Sequence, residues 1–240
     1  MALQFGQAGF RLVITGRREQ LLNDLCNQLF DDYQTETVPI AGDLSTQQGV
    51  EALTNQTQHL PIGIAVLNAG YGTSGHFIEA DIVQEANMLD LNCKAVLQLT
   101  HHFARQMRAG KRKGAIVLMS SIVAFQGVPK AANYAATKAY VQSLGEALAL
   151  EFKPLGIDVL SAAPGPVESG FGKRANMQMG NALKPEDVSV SIINAIGRRS
   201  RVSPGFLTKF LRFNLSTVPR WAKVRIMGMV MSGFTEHQTS

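Results

Sequence analysis

Three side chains that could polarise and protonate a carbonyl oxygen stand close together in the sequence. Tyr134 and Lys138 are four residues apart, and Ser121 precedes the tyrosine by thirteen residues. On a helix, residues four apart lie on one face, so the phenol and the ammonium are expected to be neighbours. A phenol titrates near about 10, and a nearby ammonium would lower that pKa. With Ser121 holding the substrate oxygen, the three residues predict proton transfer coupled to hydride transfer at a carbonyl or alcohol carbon.

The flanking segments have the pattern of strands and helices that would position these residues. Residues 114–121 form an apolar, β-branched run that ends in two serines, and residues 143–150 continue the helix that Tyr134 begins. Other strand-like runs lie at 10–15, 37–41, 62–67 and 157–162, and apolar residues have helical spacing at 19–30 and 86–107. This alternation predicts an α/β fold with a doubly wound parallel sheet and helices on both faces. No linker or repeat divides the chain, so we expect a single domain over residues 1–240.

The Tyr-x-x-x-Lys pair, the serine spacing and the order of elements resemble the short-chain dehydrogenase/reductase family. The resemblance implies a Rossmann-like fold and an oxidoreductase acting on carbonyl or alcohol groups. It implies that Tyr134 is the acid or base, that Lys138 lowers its pKa and binds the nicotinamide ribose, and that Ser121 orients the substrate. Asn92 matches the helix asparagine that holds a water in the proton relay. The alternative for Asn92 is an ordinary polar position on a helix.

Further matches to the family fall where a nicotinamide cofactor would bind. Asp43 and Leu44 match an acidic-apolar pair that contacts the adenine, although this pair is weak in isolation. The family's N-A-G segment and the loop that receives the nicotinamide are also present, as Asn68, Ala69, Gly70, Pro164, Gly165 and Val167. A plain turn at the end of a strand fits the N-A-G segment equally well. Ser169 stands where the family usually has threonine, and it keeps the hydroxyl.

The residues after the first predicted strand favour NADP(H) over NAD(H). In NAD-dependent relatives an acidic side chain at this place accepts hydrogen bonds from the adenosine ribose. This chain has Arg17 and Arg18 there, with no acid before Glu19. Two guanidinium groups would pair with a 2′-phosphate through charge-assisted bonds, and Arg17 is the preferred partner. The alternative is that these arginines simply begin a solvated helix face.

One departure from the family concerns the pyrophosphate of the cofactor. The family opens with a strand and a T-G-x-x-x-G-x-G loop, whereas Thr15 and Gly16 are followed by no glycines at those offsets. Residues 1–9 are typical of the helix that follows this loop, so we expect the first strand to be missing from this chain. An interior strand would then leave a gap with unpaired backbone groups. A misplaced start or a truncated chain is favoured, because the other motifs are intact; a non-catalytic relative acting as a binding protein is the alternative.

Composition is typical of a globular enzyme. Hydrophobic residues make up 45% of the 240 positions and charged residues 17%, which argues against disorder. Cys26 and Cys93 are the only cysteines, so a disulfide framework, a cysteine-based metal site and an oxidising compartment are not expected. The adjacent His101 and His102 point to different helix faces, so we expect no metal site. We expect a cytoplasmic homo-oligomer with a small-molecule substrate.

The excess of positive charge is concentrated near the C-terminus. The formal net charge is +5, and the stretch between Val188 and Thr235 has no acid but eight of the 23 basic residues: Arg198, Arg199, Arg201, Lys209, Arg212, Arg220, Lys223 and Arg225. Apolar stripes predict basic amphipathic helices at about 198–231, formed by Phe206, Leu207, Phe210 and Leu211 and by Trp221, Val224, Met227 and Met231. Such helices could lie on an anionic membrane, cover a substrate pocket or form a dimer contact. No nucleic-acid motif accompanies the charge. Residues 171–183 and the tail are predicted to close the pocket over an apolar substrate.

Overall fold

The computed structural model describes residues 1–180 and 182–238, without the side chains of Leu207, Arg212, Leu215 and Ser216. The predictions made for Leu207, for Arg212 and for residue 181 of the pocket cover therefore lie outside the described part. The contacts along the chain define two compact units, residues 1–60 and residues 61–240. The single domain expected from the sequence stays a prediction.

The first unit is a two-stranded parallel sheet with three helices. Its elements are α1 (Ala2–Gln7), β1 (Leu12–Gly16), α2 (Glu19–Tyr33), β2 (Thr37–Ala41) and α3 (Gln47–Thr57). The register pairs Leu12 with Thr37 and Gly16 with Ala41. Helix α2 forms because Leu22, Cys26 and Leu29 recur at helical spacing and bury one face of the helix.

The second unit contains a four-stranded parallel sheet in the order β3-β4-β5-β6. Its strands are β3 (Ile64–Leu67), β4 (Gly114–Met119), β5 (Ile157–Ala162) and β6 (Arg201–Val202). Its α-helices are α4 (Ile82–Leu89), α5 (Val96–Ala109), α6 (Ala132–Glu151), α7 (Gly170–Arg174), α8 (Pro185–Ile193), α9 (Phe206–Ser216) and α10 (Arg220–Phe234). Strand β4 is a continuous apolar run because it is buried on both faces, as is usual in parallel sheets.

The predicted fold class is confirmed, with differences in detail. Parallel strands alternate with helices in both units, but the described strands form two sheets. The helix expected at 86–107 is divided into α4, a π-helix over Asp90–Ala95 and α5. Helices α3 and α8 and strand β6 were not predicted from the sequence. The predicted C-terminal helices begin at Phe206, later than residue 198, because Arg201 and Val202 pair with β5.

The two C-terminal helices differ in how they use their apolar residues. Met227 and Met231 of α10 are buried against Val128, Ala131 and Met177, so part of the predicted stripe is core. Phe206 and Trp221, in contrast, are 85% and 65% exposed. The sequence pattern therefore identified the stripes, and the structure shows that only the methionine end of the α10 stripe packs inside the second unit.

Gly145 lets α6 lie against β5, and this contact generates a stability prediction. A Cβ at Gly145 would overlap Ser161 Oγ and lie 3.0 Å from Leu118 Cδ1. We expect Gly145→Ala to lower the free energy of unfolding by about 1–3 kcal/mol, because overpacking outweighs the better helix propensity of alanine. Urea unfolding of the purified protein measures the change.

The matched control is Gly233→Ala in α10, where a Cβ would meet nothing within 4 Å. It should be neutral or stabilising by up to about 1 kcal/mol. Ser161 Oγ is buried without a hydrogen-bond partner in the described structure. Adding Ser161→Ala to Gly145→Ala should therefore recover part of the loss. Equal effects of the two glycine substitutions would contradict the packing argument.

Candidate active site

Ser121 lies just beyond the carboxyl end of β4, where the chain turns towards α6. Its side chain is buried, and its Oγ accepts a hydrogen bond of 3.4 Å from the backbone N–H of Val123. The preceding Ser120 donates its hydroxyl to the Lys138 carbonyl at 3.1 Å. The two serines therefore join the end of the strand to the helix that carries Tyr134 and Lys138. This is the edge at which open parallel sheets bind ligands.

Tyr134 lies in the first turn of α6 and is 8% exposed. Its ring is 5.3 Å from that of Phe171 in α7, measured between centroids. Gly72 packs against the ring, since a Cβ there would lie 3.0 Å from Tyr134 Cδ2. Burial raises the pKa of Tyr134 to about 12, and a hydrogen bond with Ser121 opposes this rise only in part. The phenol is therefore held in its protonated form at neutral pH.

Lys138 is on the same face of α6, one turn after Tyr134. Its Nζ is 5.9 Å from the centre of the Tyr134 ring and donates a hydrogen bond of 2.8 Å to the Met119 carbonyl. Burial lowers the pKa of Lys138 to about 8, partly opposed by the nearby Cys93. The net shift of the Tyr134 pKa is upward because of burial, and the lowering of this pKa by Lys138 stays a prediction. Burial disfavours the charged form of both groups and outweighs their proximity.

Asn92 is completely buried in the π-helix and joins three segments of the site. Its Oδ1 accepts from the Tyr71 N–H at 3.1 Å, and its Nδ2 donates to the Tyr71 carbonyl at 2.8 Å and to Thr137 Oγ1 at 3.0 Å. Thr137 in turn donates to the Tyr134 carbonyl at 2.8 Å. These bonds use three of the four hydrogen-bonding positions of the amide. Asn92 thus holds the loop after β3 against α6, and its predicted role in a water relay stays a prediction.

The N-A-G segment follows β3 and passes beside the lysine. Asn68 and Ala69 are exposed, whereas Gly70 lies against Lys138 and Asn92. A Cβ at Gly70 would be 2.9 Å from Asn92 Oδ1 and 3.4 Å from Lys138 Nζ. A side chain at position 70 would crowd the amide of Asn92, so the close approach of this loop requires glycine. The predicted contact of the segment with a cofactor stays a prediction.

The loop after β5 is joined to the segment that carries Ser121. The Pro164 carbonyl accepts a hydrogen bond of 3.0 Å from the Ile122 N–H, and Gly165 packs against Thr208 of α9. Val167 pairs with Leu183 as an isolated parallel bridge. Ser169 accepts a hydrogen bond of 3.3 Å from the Phe171 N–H and so begins α7. The serine that replaces the family's threonine therefore helps to place Phe171 over Tyr134.

The residues predicted for the adenosine end of the cofactor all lie in the first unit. Arg17 follows β1 and pairs with Asp43 at 3.6 Å, between Nη1 and Oδ2. Partial burial raises the pKa of Asp43. Hydrogen bonds from Ser45 and the charge of Arg17 lower this pKa by more than burial raises it, so the net shift is downward. Arg18 is exposed at the start of α2, and Leu44 is buried. The ion pair is half exposed and therefore weak.

Sequence reasoning missed several residues that shape the site. Tyr71 donates its hydroxyl to the Gln84 carbonyl at 2.7 Å, and the Arg174 guanidinium lies 4.2 Å from the centre of its ring. Thr137 couples Asn92 to α6 through its hydroxyl. Cys93 lies near Lys138, and its burial raises the pKa of its thiol to about 11. The position of Tyr71 directly after the N-A-G segment was the one available signal.

Comparison with known proteins agrees with this geometry. The sequence model of the family described as short chain dehydrogenase matches residues 1–180. This match covers more than half of the chain, and the family consists of oxidoreductases that act on CH–OH or C=O groups. The chain belongs to the short-chain dehydrogenase family. The membership predicted from the Tyr-x-x-x-Lys pair is thus confirmed.

Individual relatives are distant in sequence but similar over most of their length. A 7beta-hydroxysteroid dehydrogenase of Clostridium sardiniense is 24% identical over 87% of this chain and 81% of its own. A very-long-chain 3-oxoacyl-CoA reductase of Mus musculus is 28% identical over 94% of this chain and 73% of its own. A solved 7beta-hydroxysteroid dehydrogenase structure matches with a TM-score of 0.85 and 25% identity, covering 94% of this chain and 90% of that one. A short-chain dehydrogenase of Sphingobium yanoikuyae in complex with NADPH matches with a TM-score of 0.80 and 23% identity, covering 90% of this chain and 87% of that one, which shows the fold.

The sequence also led to predictions about membrane contact, oligomeric state and location in the cell. Among the residues that the structure describes, no helix is long and apolar enough to cross a membrane. Peripheral contact of the basic C-terminal helices with a membrane stays a prediction, as do the homo-oligomer and the cytoplasmic location.

The buried ammonium of Lys138 leads to a pH-dependent stability prediction. Its pKa falls from 10.5 to about 8 on folding, so between these values the unfolded chain binds more protons than the folded one. Stability that depends on this group therefore rises as the pH increases through that window. Between pH 7 and pH 11 we expect the free energy of unfolding of the native chain to rise by about 3 kcal/mol more than that of Lys138→Met. Urea unfolding at each pH measures both values.

The control is Lys94→Met, which removes an exposed lysine whose charge stays in water in both states. Its unfolding curve should follow that of the native chain at every pH. Parallel pH profiles for the native chain and Lys138→Met would contradict the burial of a costly charge at position 138.

Proposed function

We propose that the chain is an NADP(H)-dependent carbonyl reductase and alcohol dehydrogenase. The observation that carries the proposal is the burial of Ser121 and Tyr134 together, with Lys138 on the same face of α6 and its Nζ 5.9 Å from the centre of the Tyr134 ring. A protonated phenol beside a serine hydroxyl can donate to a carbonyl oxygen as negative charge develops there. The phenol of Tyr134 is protonated at neutral pH, which is the form that reduction requires.

The residues present fit the nicotinamide end of the cofactor. Tyr134 and Lys138 lie on one face of α6, from which the phenol and the ammonium could donate hydrogen bonds to the hydroxyls of the nicotinamide ribose. Pro164, Gly165 and Val167 would lie against the nicotinamide. When bound, the cofactor would supply or accept the hydride at the carbonyl carbon. In the opposite direction Tyr134 would act as base, with Lys138 near enough to stabilise the phenolate that forms.

The choice of NADP(H) rests on the two arginines after β1. Arg18 is exposed, and the weak ion pair of Arg17 with Asp43 can exchange for a phosphate. A 2′-phosphate carries more charge than one carboxylate and can accept bonds from both guanidinium groups.

An apolar substrate is favoured by the surroundings of Tyr134 and by the relatives. Phe171 packs on the phenol, and Met177 and Met179 belong to the neighbouring apolar cluster. The names of two relatives, a 7beta-hydroxysteroid dehydrogenase and a very-long-chain 3-oxoacyl-CoA reductase, both describe large carbon skeletons with a hydroxyl or carbonyl group. We extend that substrate class to this chain.

Replacement of the catalytic phenol tests the proposed chemistry. Tyr134→Phe removes the proton donor without changing the packing against Phe171. We expect kcat for an NADPH-dependent ketone reduction to fall by about a hundredfold to ten-thousandfold, the usual contribution of a general acid. The matched control is Tyr140→Phe, a partly exposed tyrosine on the same helix, which should retain full activity. Retained turnover in Tyr134→Phe would overturn the assignment.

Removal of the two arginines tests the cofactor preference. The native chain should bind NADPH more tightly than NADH in calorimetric titrations. Arg17→Ala with Arg18→Ala should weaken NADPH by at least about tenfold and leave NADH within about twofold, because only the 2′-phosphate is lost as a partner. Arg11→Ala is the control, since Arg11 lies in the same unit and forms an exposed ion pair with Glu36 at 3.7 Å.

The same titrations decide between the enzyme and the non-catalytic relative expected as its alternative. A chain that binds neither cofactor would support the non-catalytic relative. A chain that binds both cofactors equally would retain the oxidoreductase proposal and contradict the role given to the arginines.

A further inference from the structure

A basic cavity of about 660 Å³ lies in the second unit. Its walls come from the turn after β4, from the region of β6 and from the two C-terminal helices: Ile122, Phe125, Gln126, Arg199, Arg201, Val202, Ser203, Lys209, Phe213 and Lys223. Its volume is within the range of about 300–1,000 Å³ that is usual for small-molecule sites. We call it the basic cavity.

Four positive side chains line the basic cavity, and no acidic side chain does. Arg201 is paired with Glu146 at 3.2 Å across a half-exposed contact, which compensates little of the charge. Arg199, Lys209 and Lys223 form no ion pair with any acid in the described part of the chain. Like charges in one cavity repel each other, and the repulsion is strongest where low-dielectric walls focus the field. An anion is the ligand that would relieve this repulsion.

Besides Gln126 and Ser203, the rest of the lining is apolar, which favours a ligand that also has a hydrocarbon part over a simple inorganic ion. Phe125 and Phe213 contribute aromatic rings, and Ile122 and Val202 contribute branched side chains. A hydrocarbon segment next to a carboxylate or phosphate group would satisfy both parts of the lining. The chemistry points to an amphipathic anion.

The basic cavity adjoins the reactive segment through Ile122. This residue lines the cavity, directly follows Ser121 and donates its N–H to the Pro164 carbonyl at 3.0 Å. We infer that the basic cavity binds the carboxylate or phosphate group of an anionic substrate, whose carbonyl or alcohol carbon lies at Ser121 and Tyr134. The identification of the ligand as the substrate rests on the proposed function; the anion site itself does not.

Binding of non-reactive probes tests the anion site. Decanoate and decyl phosphate have the predicted chemistry, and decan-1-ol is the neutral control of the same chain length. In calorimetric titrations of the native chain, at least one of the two anions should bind at least about tenfold more tightly than the alcohol. Tighter binding of decanoate would indicate a carboxylate site, and tighter binding of decyl phosphate a phosphate site. Lys209→Ala with Lys223→Ala should remove this difference.

The matched control is Arg198→Ala with Arg220→Ala, which removes the same charge from the same region but outside the cavity lining. This control should bind the anions like the native chain, and both double variants are checked for an unchanged unfolding midpoint. Equal binding of the anions and the alcohol overturns the inference. An equal loss of anion affinity in the two double variants also overturns it, because general attraction to a basic surface would then explain the data.

Turnover separates the failure of the anion site from the failure of the proposed function. With NADPH, 9-oxodecanoate should have a higher kcat/KM than decan-2-one, and Lys209→Ala with Lys223→Ala should bring the ratio close to one. If neither ketone is reduced by any variant while the charge-dependent binding of an anion persists, the proposed reductase is wrong and the anion site stands. If both ketones are reduced without preference and the anions bind no better than the alcohol, the reductase stands and the anion site is wrong.

Discussion

The amide of Asn92 is the constraint on which the geometry of the reactive groups depends. It is fully buried, and its three hydrogen bonds hold both backbone groups of Tyr71 and the hydroxyl of Thr137. Losing it would leave buried polar groups unpaired, at a cost of about 1–3 kcal/mol for each group. The π-helix widens the turn between α4 and α5 at this residue. Such segments are frequent at functional sites. One polar side chain thus positions the Gly70 loop against Lys138.

Burial and charge act against each other at Tyr134 and Lys138. The two groups are close enough to interact, but removal from water raises the pKa of the phenol and lowers that of the ammonium. Burial therefore favours the neutral forms of both side chains, while Cys93 partly opposes the effect at Lys138, whose Nζ donates a hydrogen bond to the Met119 carbonyl. A new negative charge on a reacting oxygen would change the balance, because it would favour the ammonium.

The sequence predicted the parts of the site that depend on local spacing. The distance from Tyr134 to Lys138, the strand that ends before Ser121 and the alternation of strands and helices all follow from periodicity. The upward shift of the Tyr134 pKa could not be predicted from periodicity, because it depends on burial by Phe171 and Gly72, which approach from other segments. The π-helix was missed because its apolar pattern is also typical of one continuous helix. The pairing of Arg17 with Asp43 was missed because the two partners are 26 positions apart in the sequence.

Reactive chemistry and charge lie in different stretches of this chain. The family match ends at residue 180, and it includes Ser121, Tyr134, Lys138 and Asn92. The cations of the basic cavity lie between residues 199 and 223, in the stretch that lacks acids. Met227 and Met231 attach α10 to the core beside α6, so this stretch is held near α6 by apolar contacts that leave its charges in place. A shared reaction core can in this way accept a different class of substrate through its C-terminal helices.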